Sequence, residues 1–249
     1  MNDLMDLHSQ TILSGHAYNT LYEMLRSASE KGVKLLGITE HSPGIPGACH
    51  PFYFINFKVV PREIYGVKLM LGCELNIIDY KGNVDLDRKY RGGLDYAIAS
   101  IHDPCYDPGS VAENTSALVG AMKKPYVQII GHPDDGRFPV DYETLVCAAK
   151  ENHVLLELNS SSLHPRSHRI NARDNYITML DLCRRYQTPI IINSDAHCEV
   201  DVGNHARAHE LLREIDFPEE LVVNTSVAKA AEYIPWLNQP VYMGGGSDD

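Results

Sequence analysis

Asp6-Leu7-His8-Ser9-Gln10-Thr11, followed by His16, is the stretch from which the rest of the chain can be read. The apolar run Leu4, Met5, Leu7 leads into a histidine and then into small polar residues that do not prolong a strand. His8 is therefore expected where a buried strand ends and a loop opens. The same arrangement returns in Lys34-Leu35-Leu36-Gly37-Ile38-Thr39-Glu40-His41, Leu69-Met70-Leu71-Gly72-Cys73-Glu74, Tyr96-Ala97-Ile98-Ala99-Ser100-Ile101-His102, Val127-Gln128-Ile129-Ile130-Gly131-His132 and Ile190-Ile191-Ile192-Asn193-Ser194-Asp195-Ala196-His197. Each apolar run ends in a histidine or a carboxylate, the side chains that hold divalent metals. The repeats read as one metal centre assembled from many strand ends.

Helical patterns separate these runs. Thr20 can cap a helix with Leu21, Met24, Leu25 and Ala28 on one face and Gly32 as its stop. Further helices are expected over residues 116–123, 141–151, 172–186 and 205–215, with Ser226 capping a last one through Tyr233. A sixth strand at 154–158 ends in Asn159-Ser160-Ser161-Ser162, and Lys81-Gly82 sits at the tip of a small hairpin. Residues 42–66, rich in proline and carrying Phe52, Tyr53, Phe54 and Phe57, read as a long loop over the site whose aromatics pack as a satellite core. Seven strand-like runs joined by helices or long crossovers imply parallel strands with right-handed connections. The expected fold is α/β, a single-domain distorted (β/α)7 TIM-like barrel, because such barrels gather functional residues at the C-terminal ends of their strands. An open doubly wound sheet would bring only the strands near its switch point into one site. One folded domain is expected over residues 1–237 and a disordered tail over 238–249, where Gly244-Gly245-Gly246-Ser247-Asp248-Asp249 has too little apolar content to fold.

With 249 residues the chain can bury one large core. No basic, apolar leader opens it and no run approaches the roughly 20 apolar residues that span a bilayer, so a cytoplasmic protein without membrane contact is expected. Six scattered cysteines without a CxxC pair read as reduced thiols. A net charge of −11 and a pI near 5.5 argue against nucleic acid or anionic membrane as partner, so an anionic substrate has to be attracted locally.

In the order and placing of its histidines and carboxylates at strand ends, the chain resembles the PHP (polymerase and histidinol phosphatase) family of metal-dependent phosphoesterases, and within it the bacterial YcdX-like phosphatase branch. The resemblance covers essentially the whole folded chain. It implies a trinuclear centre of divalent ions, Zn foremost with Mn, Fe or Mg as alternatives, and a hydroxide activated there for attack on a small phosphomonoester. Carried over by position, His8, Gln10, Glu74 and Asp195 would hold a first ion, and Glu74 would bridge to a second held by His102 and His132. His16, His41 and His197 would hold a third. Glu74 and Asp195 are then the catalytic carboxylates, and Arg166 resembles a loop arginine that binds substrate phosphate. The resemblance also admits a homo-oligomer.

The chemistry of the residues agrees with that reading. A carboxylate can bridge two ions through its two oxygens, which an imidazole cannot, and a cluster of divalent ions makes a positive pocket inside an acidic protein. Arg166 and Arg169 follow a strand end in a Ser-rich loop, where a guanidinium fork can meet phosphate oxygens. Asp6 and Glu40, beside ligand histidines, are candidates to orient imidazoles. His50, His153, His164, His168, His205 and His209 lie away from the strand ends and read as surface or helix-face residues. The departure from the family pattern is Gln10, where a histidine is expected and a neutral amide offers a weaker, harder oxygen. The resemblance also admits a phosphodiesterase or exonuclease, and Gln10 makes a metal-binding regulatory domain with an impaired first ion site a second rival. A metal-dependent amidohydrolase lacks its carbamylated lysine here, Glu74 standing at the bridging position.

Overall fold

The apolar runs become parallel strands with both faces covered, which is why they read as continuous rather than alternating. A computed structural model describes residues 2–243. Its strands are β1 (Met5–Asp6), β2 (Leu35–His41), β3 (Glu63–Ile64), β4 (Val67–Asn76), β5 (Ala97–Ser100), β6 (Ile129–Ile130), β7 (Leu155–Asn159) and β8 (Ile190–Asn193). Seven of them form one parallel sheet in the order β1-β2-β4-β5-β6-β7-β8, and β3 pairs antiparallel with β4. The helices are α1 (Leu21–Glu30), α2 (Val111–Met122), α3 (Tyr142–Asn152), α4 (Ala172–Tyr186), α5 (Ala206–Glu214), α6 (Val227–Ala231) and α7 (Pro240–Met243). The sheet curls until its edges nearly meet, giving the expected distorted seven-stranded barrel.

Strand alternation divides the core in two. Leu36, Ile38, Leu69, Leu71, Ala97, Ala99, Ile130, Leu156 and Ile192 point out and pack against the helices. Met5, Leu35, Met70, Ile98, Ile129, Leu155 and Ile191 point in and fill the barrel, closed from below by Ala230, Ile234, Leu237 and Tyr242. Tyr96 lies inside this layer, its hydroxyl donating to Leu7 O at 2.6 Å. Gly37 and Gly72 make that possible, since a Cβ on either would stand 2.0 Å or 2.9 Å from the Tyr96 side chain.

The seam between β8 and β1 is closed without a continuous ladder. Above, Ser9 and Ala196 form a parallel bridge and Leu7 N donates to Asn193 Oδ1 at 2.8 Å. Below, Asn224 acts as a wedge: its Oδ1 accepts from Ile192 N at 2.7 Å, and its Nδ2 donates to Met5 O at 3.1 Å and Ile192 O at 2.7 Å. One side chain thus satisfies backbone groups that would otherwise be orphaned at the gap.

Several expectations are corrected in detail. The helix expected from 116 begins at Val111, because Ser110 and Glu113 form a capping box ahead of it. The loop at 42–66 contains a 3-10 helix, Pro51–Val59, whose Phe54 and Phe57 are buried as core residues, and only Ile45 and Pro46 of this segment line the site cavity. The tail does not begin at 238. Residues up to Met243 form α7, and Tyr242 is buried with its hydroxyl donating to Leu69 O at 2.8 Å, because the barrel floor needs a cover. Residues 244–249 of the expected tail lie outside the described residues. Among the described residues no helix is long and apolar enough to cross a membrane.

Candidate metal centre

Climbing the interior of the barrel, the inward positions change from apolar to polar. Along β4 they run Met70, Gly72, Glu74, Asn76, and along β7 Leu155, Glu157, Asn159. Along β2 they end at His41, which the register pairs directly with Glu74. His102 and His132 follow β5 and β6, His8 and Gln10 follow β1, and Asp195 and His197 follow β8. All the candidate ligands therefore meet at one rim.

Glu74 is the hub and is fully buried. Its Oε2 lies 2.6 Å from Gln10 Nε2, 3.0 Å from His41 Nδ1 and 3.2 Å from His8 Nε2. Its Oε1 lies 2.9 Å from His132 Nε2 and 3.1 Å from His102 Nε2. Asp195 Oδ1 stands 3.4 Å from His8 Nε2. Toward solvent, His16 and His197 bring their Nε2 atoms within 2.9 Å of each other, and the His41 ring stacks on His16 with centroids 5.0 Å apart. The donor sets that converge include His8 with Glu74 and Asp195, and His16 with His41 and His197. His41 also closes a set with Glu74 and His102, which places it between two groups rather than in the outer one alone.

The tautomers decide whether a cation fits. His8 Nδ1 faces Glu157 Oε1 at 2.7 Å, His16 Nδ1 faces Ser14 O at 3.1 Å, and His197 Nδ1 faces Asp195 O at 2.9 Å. His102 Nδ1 faces Asn76 Oδ1 at 2.7 Å, and the Asn76 amide is oriented by its Nδ2 donating to Ser42 O and Asp85 Oδ2. Each partner is an acceptor, so each ring donates through Nδ1 and turns Nε2 inward, a bare lone pair wherever the ring is neutral. Two bare lone pairs 2.9 Å apart, at His16 and His197, repel unless a positive charge lies against both. His8 Nε2, His41 Nδ1, Gln10 Oε1 and Asp195 Oδ1 are buried without hydrogen-bond partners. The donor set and its orphaned atoms fit divalent ions, which bind neutral imidazole and ionised carboxylate.

The electrostatics keep the carboxylates ionised and the rings of His16 and His102 neutral. At His8 burial favours the neutral ring, but Glu157, Glu74 and Asp195 raise its pKa well above the ordinary value, so with no ion against it His8 carries a second proton. Burial by itself would raise the pKa of Glu74, but His8, His41 and His102 hold it well below the carboxylate range. Burial likewise opposes ionisation of Asp195, and His8, His197 and Arg169 keep it low. Burial and the neighbouring imidazoles His197 and His41 hold His16 below its ordinary value, and burial does the same to His102 against the pull of Glu74. His132 and Asp195 take positive φ values of 29° and 54°. Such conformations cost about 1 kcal/mol or more for residues with a side chain and cluster where a site fixes them.

Not every residue expected here has its expected part. Neither Asp6 nor Glu40 touches the imidazole beside it. Glu40, on the strand face opposite His41, accepts from Thr11 and Ser14, and Asp6 accepts from Ser194 and Gly203. The carboxylate that orients His8 is Glu157, which also accepts from His132 N at 2.8 Å. A glutamate inside an apolar strand run is a signal that could have found it. Arg166 is exposed and lines the mouth of a cavity of about 670 Å³ above Glu74, together with His168, exposed as expected, and the half-buried His164. Arg169 goes deeper, its guanidinium 2.8 Å from Ser162 Oγ and 3.3 Å from Asp195 Oδ2. Cys73 is buried among the outward-facing core residues, and all six cysteines are free.

Comparison with known proteins agrees with this geometry. The PHP domain family matches residues 6–214. A protein named "probable phosphatase" from Clostridium novyi is 45% identical over 234 residues, covering 94% of this chain and 95% of its own. Another of that name from Caldicellulosiruptor saccharolyticus is 43% identical over 230 residues, covering 92% and 95%. Among solved structures, histidinol phosphate phosphatase from Lactococcus lactis, complexed with zinc, L-histidinol and phosphate, superposes with a TM-score of 0.58 at 15% identity over 87% of this chain and 95% of that one. At that identity the likeness speaks for the barrel, not for the ligand.

Proposed function

This chain belongs to the PHP domain family, and from that premise we propose that it is a metal-dependent phosphatase, one hydrolase domain that cleaves small phosphomonoesters at a centre of three divalent ions. His8, Gln10, Glu74 and Asp195 would hold the first, Glu74, His102 and His132 the second, and His16, His41 and His197 the third, with zinc the foremost candidate and Mn, Fe or Mg the alternatives. The observation that carries the reading is that the two oxygens of Glu74 face two different sets of nitrogens, as a bridging carboxylate must. When bound, divalent ions lower the pKa of a water toward about 7 and draw charge from phosphoryl oxygens.

The chain's own residues supply the rest. Glu157, Asn76 and the carbonyls of Ser14 and Asp195 hold four imidazoles with Nε2 inward. Arg166 at the cavity mouth offers a guanidinium fork to a phosphate entering above Glu74, while Arg169 braces Asp195 from the side. The cavity accepts a small substrate, consistent with an acidic surface that does not invite nucleic acid.

A second reading rests on Gln10. Its Nε2 donates to Glu74 Oε2 at 2.6 Å, so the amide competes for the carboxylate oxygen that an ion needs, while its own Oε1 is buried without a hydrogen-bond partner. A centre with a weakened first site, serving binding rather than turnover, would follow. Elemental analysis of the purified protein, with aryl phosphatase activity before and after chelation, tests both. Close to three ions per chain, not counting any that His209→Ala or Asp3→Ala releases, and turnover that chelation abolishes support the phosphatase. Two or fewer, with no activity restored by Zn, Mn or Mg, support the binding domain.

A further inference from the structure

Away from the rim, one more set of metal-type donors converges among the described residues. His205 is the N-cap of α5 and His209 lies one turn on, so their spacing puts both imidazoles on one helix face. Asp3, just ahead of β1, meets them: its Oδ2 lies 2.6 Å from His205 Nδ1 and 2.7 Å from His209 Nε2. The three donor atoms all lie within 4.8 Å of one another. The side chains of His205 and Asp3 are 4% and 11% exposed, so this is not a chance meeting on the surface. From this geometry we propose that Asp3, His205 and His209 form a second, structural site for a zinc-type divalent ion, separate from the centre around Glu74.

Without a cation the cluster is held together as an ion pair, burial opposing the charge on His205 but Asp3 and Asp6 raising its pKa to about 9. Two of its polar atoms still stay unpaired. Two imidazoles crowd one carboxylate oxygen, while Asp3 Oδ1 and His205 Nε2 are buried with no hydrogen-bond partner. An ion on His205 Nδ1 places that ring's proton on Nε2, which faces Asp6 Oδ1 at 3.7 Å. Asp6 would have to close in by about half an ångström or more to orient the ligand as carboxylates behind metal-bound histidines commonly do. It is itself anchored, accepting from Ser194 N at 3.1 Å and Gly203 N at 2.8 Å. Tetrahedral ligands about 2.0–2.1 Å from zinc sit about 3.3–3.4 Å apart, so the two close contacts of Asp3 need to open by only about 0.6–0.8 Å. A cavity of about 290 Å³ reaches the cluster and leaves a fourth position for water. Lys31 also lines it, but its ammonium is held by the carbonyls of Glu199, Val200 and Val202. None of the residues lining this cavity lines the one above Glu74.

The role follows from position. β1 is only two residues long, and it forms one side of the barrel seam that Asn224 wedges. An ion gripping Asp3 and α5 ties the segment entering β1 to the helix that follows β8. The test strips wild type, His209→Ala and Asp3→Ala with chelator, reloads each with Zn²⁺ alone and counts the metal by elemental analysis, alongside the thermal midpoint. Both variants are expected to hold one zinc fewer per chain, to gain less in midpoint on reloading, and to keep aryl phosphatase kcat within about twofold of wild type. Equal zinc in wild type and variants overturns the proposal. Asp3 precedes the first strand, so Asp3→Ala keeps the test decisive if His209→Ala misfolds. Glu74→Gln separates the two readings: zinc that survives in it and disappears on adding His209→Ala belongs to this site, whatever becomes of the phosphatase reading.

Discussion

Replacing Glu157 with glutamine changes one atom and removes a charge, yet the structure gives that change no comfortable orientation. Glu157 Oε1 accepts from His8 Nδ1 at 2.7 Å and from Asn193 Nδ2 at 2.8 Å. Its Oε2 accepts from His132 N at 2.8 Å and from Asn159 Nδ2 at 3.1 Å. Whichever way the amide turns, its NH₂ faces two donors, so two hydrogen bonds are lost and two N–H groups are pressed against a third. Burial would raise the pKa of Glu157, but His8 and His132 hold it low, so the native group is an anion. Hydrogen bonds to a charged acceptor contribute about 1.5–3 kcal/mol each, and the loss is therefore about 3–6 kcal/mol, a large share of the roughly 5–15 kcal/mol that holds a domain folded. His8 also loses the partner that fixes its tautomer, which typically costs about 10–100-fold in metal affinity. Urea unfolding of chelated wild type and Glu157→Gln measures the first effect, and competition with a zinc indicator measures the second. A variant with unchanged unfolding midpoint and unchanged zinc affinity would refute the assignment of Glu157 as the support of His8 and His132.

Gln10→His removes the amide donor from Glu74 Oε2 and adds an imidazole, so the first ion should bind about tenfold or more tighter; unchanged metal affinity and activity in calorimetric titration would count against Gln10 as the weak point of the centre. Arg166→Ala should raise KM for an aryl phosphate by about 10-fold while leaving unfolding unchanged, because the side chain is exposed at the cavity mouth, and steady-state kinetics with KM and kcat both untouched would remove its substrate role. Asn224→Ala opens the seam, stranding the Ile192 amide and two carbonyls, and should cost about 2–4 kcal/mol in urea unfolding; a loss under half a kcal/mol would mean that the wedge is dispensable. Burial pushes the Asp95 carboxyl up to about 6 against the pull of Leu71 N and Arg62. Since the folded value lies above the unfolded one, the contribution is present below about pH 4 and is lost as pH rises through 6. The stability of wild type relative to Asp95→Asn should therefore fall by an amount of order 2 kcal/mol between pH 4 and 7, and a flat or rising difference would contradict the sign.

The strands, their order and the rim they share were legible because their causes are local. Apolar runs too short for helices, each stopped by a histidine or carboxylate, require strands whose ends carry the chemistry, and helical periods between them require parallel connections. That logic named His8, His16, His41, Glu74, His102, His132, Asp195 and His197, which the fold gathers around one cavity or directly beneath it. What only the tertiary structure decided is which polar neighbour turns inward and whom it meets. Asp6 and Glu40 were as close in sequence to ligand histidines as any residue, but the barrel sends Glu40 outward to Thr11 and Asp6 toward Ser194 and His205. Glu157 comes to His8 from a strand 149 residues away. His205 and His209 read as surface or helix-face residues, and nothing joins them to Asp3 until β1 and α5 stand side by side. Strand ends are set by nearest-neighbour periodicity, which a sequence displays directly. Contacts across a closed barrel depend on register and curvature summed over every strand between them, and no local pattern records that sum.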